Sequence, residues 1–311
     1  MPTTLISAEM PTPPFLKNCG GDIMSVVGVG IISKRGERKY LPLEIRAKMY
    51  EDVVKLRRQG LKLSEIQKSL YEKYGRRLPR STIYGWINGK HNPFEKVNKF
   101  DELPSPELAY IIGVMLSDGY KYLNRRWYFL WLVVNDKEYA KEFGKCLTKV
   151  LKKKKQYEPF YNKKKKRWVI AVNSILLFKF LERPFEELKF YIEYSEETVA
   201  SFLRAMFDGD GCIYTKIRER RKQRILVLTN TNEKLLVYIQ YLLKKYFSIE
   251  ATGPHLSARK NSIRHFPNGK ISKTTKDYYY IYIHAKSLLN FYKHIGFTIK
   301  QKQQKLIKAI K

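Results

Sequence analysis

The sequence predicts an α+β protein, a duplicated αββαββα unit preceded by a small all-α domain. Three observations carry this. Two apolar segments far apart end alike, Ile111-Ile112-Gly113-Val114-Met115-Leu116-Ser117-Asp118-Gly119 and Leu203-Arg204-Ala205-Met206-Phe207-Asp208-Gly209-Asp210-Gly211. Each is followed by the same succession of β-rich and helix-periodic segments. Ahead of both, three short helical periods are separated by glycine stops. The boundaries implied are a flexible leader over residues 1–38, an all-α domain over 39–97, and repeats over 104–187 and 188–311.

The leader carries Pro2, Pro11, Pro13, Pro14 and the pair Gly20-Gly21 without a steady apolar period. Its Gly28-Val29-Gly30 lacks the third glycine of a dinucleotide fingerprint and is set aside. In the all-α domain Ile45, Met49, Val53 and Leu56 share one helical face over 44–59, and Gly60 ends it. Ser64 is expected to cap a second helix with Ile66, Leu70 and Tyr74 inward and Gly75 as its stop. Pro79 and Ser81 open a third helix through Ile83 and Trp86, which closes at Asn88-Gly89.

Each repeat begins with a capped apolar helix. Ser105-Pro106-Glu107 supplies an N-cap, a first-turn proline and an acid at the positive helix end, and Ser195-Glu196-Glu197 does the same. Strands are expected over 128–134 in the first repeat, and over 211–217 and 225–229 in the second. Amphipathic helices follow over 135–151 and 231–247, then strands over 168–172 and 278–284, then helices opening at Ser174 and Ser287.

The charge points to a polyanionic partner. With 61 Lys+Arg against 29 Asp+Glu the formal net charge is +32, which favours nucleic acid over a merely solvated lysine-rich surface. No long amphipathic basic helix argues for an acidic lipid surface. Cys19, Cys146 and Cys212 are too scattered for a disulfide framework or a cysteine zinc site, and Cys146 reads as packing. The nearly apolar run over 23–32 is too short to span a bilayer. A soluble, cytoplasmic protein is expected.

Two recurring Asp-Gly helix ends suggest two carboxylates delivered to one place. An Asp at a helix C-terminus opposes the helix dipole, so its recurrence in register favours a positive ligand there. The two motifs, the helix starts Asn135-Asp136-Lys137-Glu138 and Thr231-Asn232-Glu233-Lys234, and the ending Ile295-Gly296-Phe297-Thr298-Ile299-Lys300-Gln301-Lys302-Gln303 resemble a LAGLIDADG homing endonuclease of the single-chain, two-repeat type. The segments Leu56-Arg57-Arg58-Gln59-Gly60-Leu61 and Ser81-Thr82-Ile83-Tyr84-Gly85-Trp86 resemble a resolvase-type helix-turn-helix.

The first resemblance implies a pseudo-twofold β-saddle, with the motif helices in contact through the small residues Gly113 and Ala205. It implies that Asp118 and Asp210, with the adjoining Gly119 and Gly211, hold Mg²⁺ or another divalent cation such as Mn²⁺. Carboxylate oxygens suit such hard ions, which activate water for phosphodiester hydrolysis. It further implies a catalytic lysine at Lys286, with Asn173 in its place in the first repeat, and polar partners at Asn135 and Asn230. On that basis the half containing Asn173 is expected to nick its strand more slowly. Asp208 has Leu116 as its counterpart in the first repeat and receives no required catalytic role.

The DNA surface is expected on the strands after each motif. Alternation sets Tyr214, Lys216 and Arg218 on one face, and the first repeat offers Lys121, Arg125 and Arg126. Lys152 to Lys155 and Lys163 to Lys166 suit phosphate contacts. The helix-turn-helix resemblance places Arg80, Ser81, Thr82 and Tyr84 near DNA. The function expected is site-specific double-strand DNA cleavage by a monomer that promotes intron mobility. The alternative is a non-cleaving protein on the same scaffold, either a maturase acting on RNA or a transcription regulator. A free-standing chain is expected rather than an intein, because residue 1 is no nucleophile and the chain ends Lys308-Ala309-Ile310-Lys311.

Overall fold

The computed structural model describes residues 41, 43–94, 99–124, 127–218, 221–265, 269 and 271–311. The expected leader, Arg125 and Arg126 lie outside the described residues, as does the side chain of Arg218. Two compact units divide between residues 95 and 96. Among the described residues no helix is long and apolar enough to cross a membrane.

In the first unit α1 (Leu43–Arg58), α2 (Leu63–Tyr74) and α3 (Arg80–Ile87) bury Met49, Val53, Ile66, Leu70, Ile83 and Trp86 against one another. The residues at helical spacing in the sequence are the ones that pack, except Ile45, which is exposed. Asp52 accepts hydrogen bonds from Lys73 Nζ at 2.7 Å and Tyr74 Oη at 2.5 Å, which ties α1 to α2. Gly75 ends α2 in the left-handed region at φ 63°, where a side chain would be strained. Lys62, not Ser64, is the N-cap of α2, and Glu65 accepts from the Lys62 amide at 2.7 Å. An acid three residues into the helix satisfies an orphan amide whether or not a serine stands nearby.

The second unit runs α4 (Pro106–Leu116), β1 (Gly119–Asn124), β2 (Trp127–Val134), α5 (Lys137–Val150), β3 (Phe160–Asn162), β4 (Arg167–Asn173), α6 (Ile175–Phe180) and α7 (Phe185–Ile192). The succession then recurs as α8 (Glu196–Asp210), β5 (Gly211–Arg218), β6 (Arg221–Asn230), α9 (Glu233–Phe247) and β7 (Ala251–Ala258). After an inserted hairpin, β8 (Ile263–His265) and β9 (Ile271–Lys273), it ends in β10 (Tyr278–Ile283), α10 (Leu288–His294) and α11 (Lys300–Ile310). The two four-stranded antiparallel sheets have orders β1-β2-β4-β3 and β5-β6-β10-β7, the same topology twice.

Each sheet buries one face under helices. Leu130, Leu132, Ile170 and Val172 fill the first core, and Ile213, Leu226, Leu228, Ile281 and Ile283 the second. The opposite face of the second sheet exposes Tyr214 and Lys216; on that of the first, Trp127 is exposed while Trp131 and Val169 are buried. Ser105 Oγ accepts from the Leu108 amide at 3.2 Å and Ser195 Oγ from the Thr198 amide at 3.3 Å, so both motif helices start as the sequence indicates. The helices expected from residues 135 and 231 begin slightly later, with Asp136 and Asn232 as N-caps.

Helices α4 and α8 meet along a seam too close for larger side chains. A Cβ built on Gly113 would stand 2.7 Å from the Phe202 carbonyl oxygen and 2.8 Å from Ala205 Cβ. Since the first neighbour is backbone, the helices must separate to admit it. Gly113→Ala is expected to destabilise the second unit by roughly 1–3 kcal/mol, and Gly113→Leu by more. Urea unfolding of the variants measures this; an unchanged midpoint for Gly113→Leu would refute the close approach.

Candidate active site and nucleic-acid surface

The seam ends where both motifs stop. Ser117 closes α4 by donating its hydroxyl to the Gly113 carbonyl at 3.0 Å, and Gly209 packs against it. A Cβ on Gly209 would lie 2.6 Å from Ser117 Oγ and 3.0 Å from Asp118 Oδ2, so the Asp118 carboxylate rests on the last turn of α8. Asp210 is the final residue of that helix. Gly119 and Gly211 start β1 and β5 with no room for a Cβ, which would meet Val114 O at 2.9 Å in one case and collide with Phe207 O in the other. Glycine there lets the strand leave the helix end sharply, keeping the carboxylate at the junction.

The electrostatics are those of two like charges crowded together. Desolvation, reinforced by the neighbouring Asp118, pushes the Asp210 carboxyl up to about 7, even though Asn230 Nδ2 donates to Asp210 Oδ2 at 2.7 Å. Asp118 is also raised, chiefly by desolvation and further by Asp136. Its side chain keeps an exposed face, so protein atoms desolvate it from beneath while the front stays open to a ligand. Asp210 is half-buried.

A cation absent from the sequence expectations faces the pair. Lys302, on the first turn of α11, donates to the carbonyls of Phe207, at 3.1 Å, and Asp208. Its charge lowers the pKa of both Asp118 and Asp210. Burial depresses the lysine's own pKa. The corresponding place in α7, third in the helix, holds Glu187, so the site has one lysine and is asymmetric.

Asp208 explains how that lysine is held. It is 2% exposed and accepts amide protons from Thr298 at 3.0 Å and Ile299 at 3.3 Å, with Tyr110 Oη donating at 3.3 Å. It thus caps α11 from outside that helix and sets Lys302 beside α8. Leu116 at the matching place in α4 can do no such thing. Tyr139, buried, sits 3.3 Å from Ser117 Oγ and donates to Ala205 O at 3.4 Å, bridging the two helix ends.

Two expected positions, Lys286 and Asn135, are placed differently from Asn230. Lys286 lies in a short 3-10 turn at Ala285–Ser287 and pairs with Glu250 at 2.6 Å. The antiparallel register puts Tyr279 beside Asn230 and Ile283 beside Leu226, so β10 runs away from Asn230 toward Lys286. Asn173 Oδ1 accepts from the Tyr128 amide at 2.9 Å. Asn135 is exposed and is not the counterpart of Asn230. Pairing of Gly119 with Leu132 and of Gly211 with Leu228 aligns Asn230 with Val134, leaving Asp118 without an amide donor in that place.

On the strands, Tyr214 and Lys216 stand on the open face of the second sheet, opposite buried Ile213. Lys121 does not share this placement. It pairs with Leu130 on the helix-covered side and donates to Leu181 O at 3.0 Å, because alternation from Gly119 turns odd residues of β1 inward. Lys163 to Lys166 are exposed in the turn between β3 and β4. In the first unit Arg80, Ser81 and Tyr84 are exposed and Thr82 is half-buried, while Ile83 and Trp86 are buried. Arg80 and Tyr84 line a shallow groove with Arg57, Lys62, Ser64 and Asn88.

A duplicated antiparallel unit with paired acidic helix ends at its internal seam defines a class. Residues 197–296 match the family model described as a LAGLIDADG-like domain. An uncharacterized protein of Methanocaldococcus jannaschii is 30% identical over 261 residues, covering 83% of this chain and 91% of that protein. The chain belongs to the LAGLIDADG family. Among solved structures it is similar to the homing endonuclease I-DmoI in complex with DNA and Ca, with 16% identity, 65% of this chain and 97% of that one covered, and a TM-score of 0.43. It is also similar to full-length DUF199/WhiA of Thermotoga maritima, with 19% identity, 68% and 62% coverage, and a TM-score of 0.39.

Proposed function

We propose that this protein is a site-specific, metal-dependent endonuclease of double-stranded DNA. The observation that supports this best is the pair Asp118 and Asp210, desolvated beside each other at an open seam. Two carboxylates held this way destabilise the metal-free fold unless a cation joins them. Among the described residues no group of three or more His, Cys, Asp or Glu side chains could hold a metal ion. A hard cation that keeps water and phosphate oxygens as its remaining ligands fits two carboxylates, and Mg²⁺ or Mn²⁺ has that character. Asp118 and Asp210 would hold it, with the carbonyls of Gly119 and Gly211 alongside.

When bound, such an ion would lower the pKa of a water and offset charge on the phosphate. Lys302 adds a fixed positive charge toward the same phosphate, and Asn230 orients Asp210. The open sheet faces, with Tyr214 and Lys216, receive the duplex. The groove of the first unit, with Arg80, Ser81, Thr82 and Tyr84, adds contacts to flanking DNA in the manner of a helix-turn-helix.

The test starts from duplexes selected out of a random library by the full chain, which are then incubated with Mg²⁺, with Ca²⁺ and with EDTA. Cleavage of both strands in Mg²⁺ alone is expected. Selective binding with no cleavage in Mg²⁺ or Mn²⁺ would instead indicate a DNA-binding regulator, and preference for structured RNA a maturase.

A further inference from the structure

The two open sheet faces occupy equivalent places in the duplicated fold and differ in chemistry. Gly119 pairs with Leu132 as Gly211 pairs with Leu228, which aligns the strands residue by residue. Trp127 then matches Gln223, Phe129 matches Ile225, and Trp131 matches Val227; on the edge strand Tyr122 matches Tyr214. On the second face Lys216, Gln223, Thr229, Thr252, His255 and Ser257 offer groups that donate or accept hydrogen bonds.

The first face is a continuous row of rings. Ring centroids are 5.9 Å apart for Tyr120 and Trp131, 6.1 Å for Phe129 and Trp131, and 6.2 Å for Trp127 and Phe129. Trp131 is 2% exposed, and its indole nitrogen has no hydrogen-bond partner among the described residues and reaches no surface. Trp127 is 41% exposed at the end of the row. At the other end of the row, past Trp131, the half-buried Val133 and Ala171 continue the same face by register, with Val169 buried beside them.

Such a face cannot read base edges by hydrogen bonds at its centre. In the major groove the apolar group a duplex presents is the C5 methyl of thymine, against which aromatic and aliphatic side chains make favourable contact. The exposed lysines Lys163 to Lys166 at the β3–β4 turn supply phosphate attraction beside it. We propose that the open face of the first sheet selects a thymine-rich half-site through methyl contacts, while the second sheet reads its half by hydrogen bonds. This rests on the duplex-DNA reading above.

The experiment uses the full chain, a site selected from random duplex DNA, and Trp127→Ala and Lys216→Ala to assign each half to its sheet. Deoxyuridine then replaces thymidine in one half at a time, removing only methyl groups. Substitution in the half assigned by Trp127 is expected to weaken binding roughly tenfold, and in the other half less than twofold. Phe129→Ser should reduce that difference to less than twofold. Equal losses in both halves, or a first half-site without thymine preference, would overturn the inference while leaving DNA binding intact. Failure to enrich any duplex would overturn both.

Discussion

Asp210→Asn is expected to reduce strand cleavage by about a hundredfold or more while leaving duplex affinity nearly unchanged. The same substitution should make the metal-free protein more stable at neutral pH. In the fold the Asp210 carboxyl titrates near 7, against an ordinary value of 3.8. Between those limits the native state binds more protons than the unfolded chain, so stability falls as pH rises from about 4 to about 7. The loss is complete above the folded value and amounts to at most about 4 kcal/mol before solvent screening is taken off.

Asn removes that charge and keeps the amide-accepting oxygen. Asp208, raised to about 6, contributes a loss of the same sign in both proteins and cancels in the comparison. Thermal melts in EDTA at pH 5 and pH 8 measure the difference. The variant should gain on wild type more at pH 8 than at pH 5. Millimolar Mg²⁺ should then raise the wild-type midpoint at pH 8 and leave Asp210→Asn where it was. If Mg²⁺ moved neither protein, the carboxylate pair would not be a metal site.

Much of the site was legible because it is repeated. Gly113 stands five residues before Asp118 as Ala205 stands five before Asp210, each on a serine-capped helix, and a pattern that occurs twice exposes its own equivalences. Asn230 is also legible, but its counterpart in the first repeat is Val134, one residue before the chemically similar Asn135. Strand register, which aligns Val134 with Asn230, is set by cross-strand pairing that local sequence does not display.

Lys302 was hidden for a different reason. It lies 92 residues beyond Asp210 among 61 Lys+Arg, and nothing local marks it. A signal did exist: α11 starts at Thr298-Ile299-Lys300 with no side chain of its own as cap, so some distant acceptor had to supply one. The unmatched Asp208 was that acceptor. Lys286, which the resemblance sets near the start of the repeat's last helix, lies in the 3-10 turn at Ala285–Ser287 and pairs with Glu250.

Lys302→Met, which keeps the stem and removes the charge, is expected to lower cleavage by roughly a hundredfold. Two consequences separate this from a simple loss of folding. Lys302 lowers the pKa of both Asp118 and Asp210, so without it both carboxyls rise and the cation must compete with protons over a wider range. The pH at which Mn²⁺ binds, followed by paramagnetic resonance of the free ion, should therefore move upward in the variant. Lys302→Arg should restore the binding profile, since it restores the charge, and restore cleavage incompletely, since the planar fork cannot donate to the Phe207 and Asp208 carbonyls as a compact ammonium does. An unaltered Mn²⁺ profile in Lys302→Met would mean that the lysine caps the end of α8 and does not act on the carboxylates.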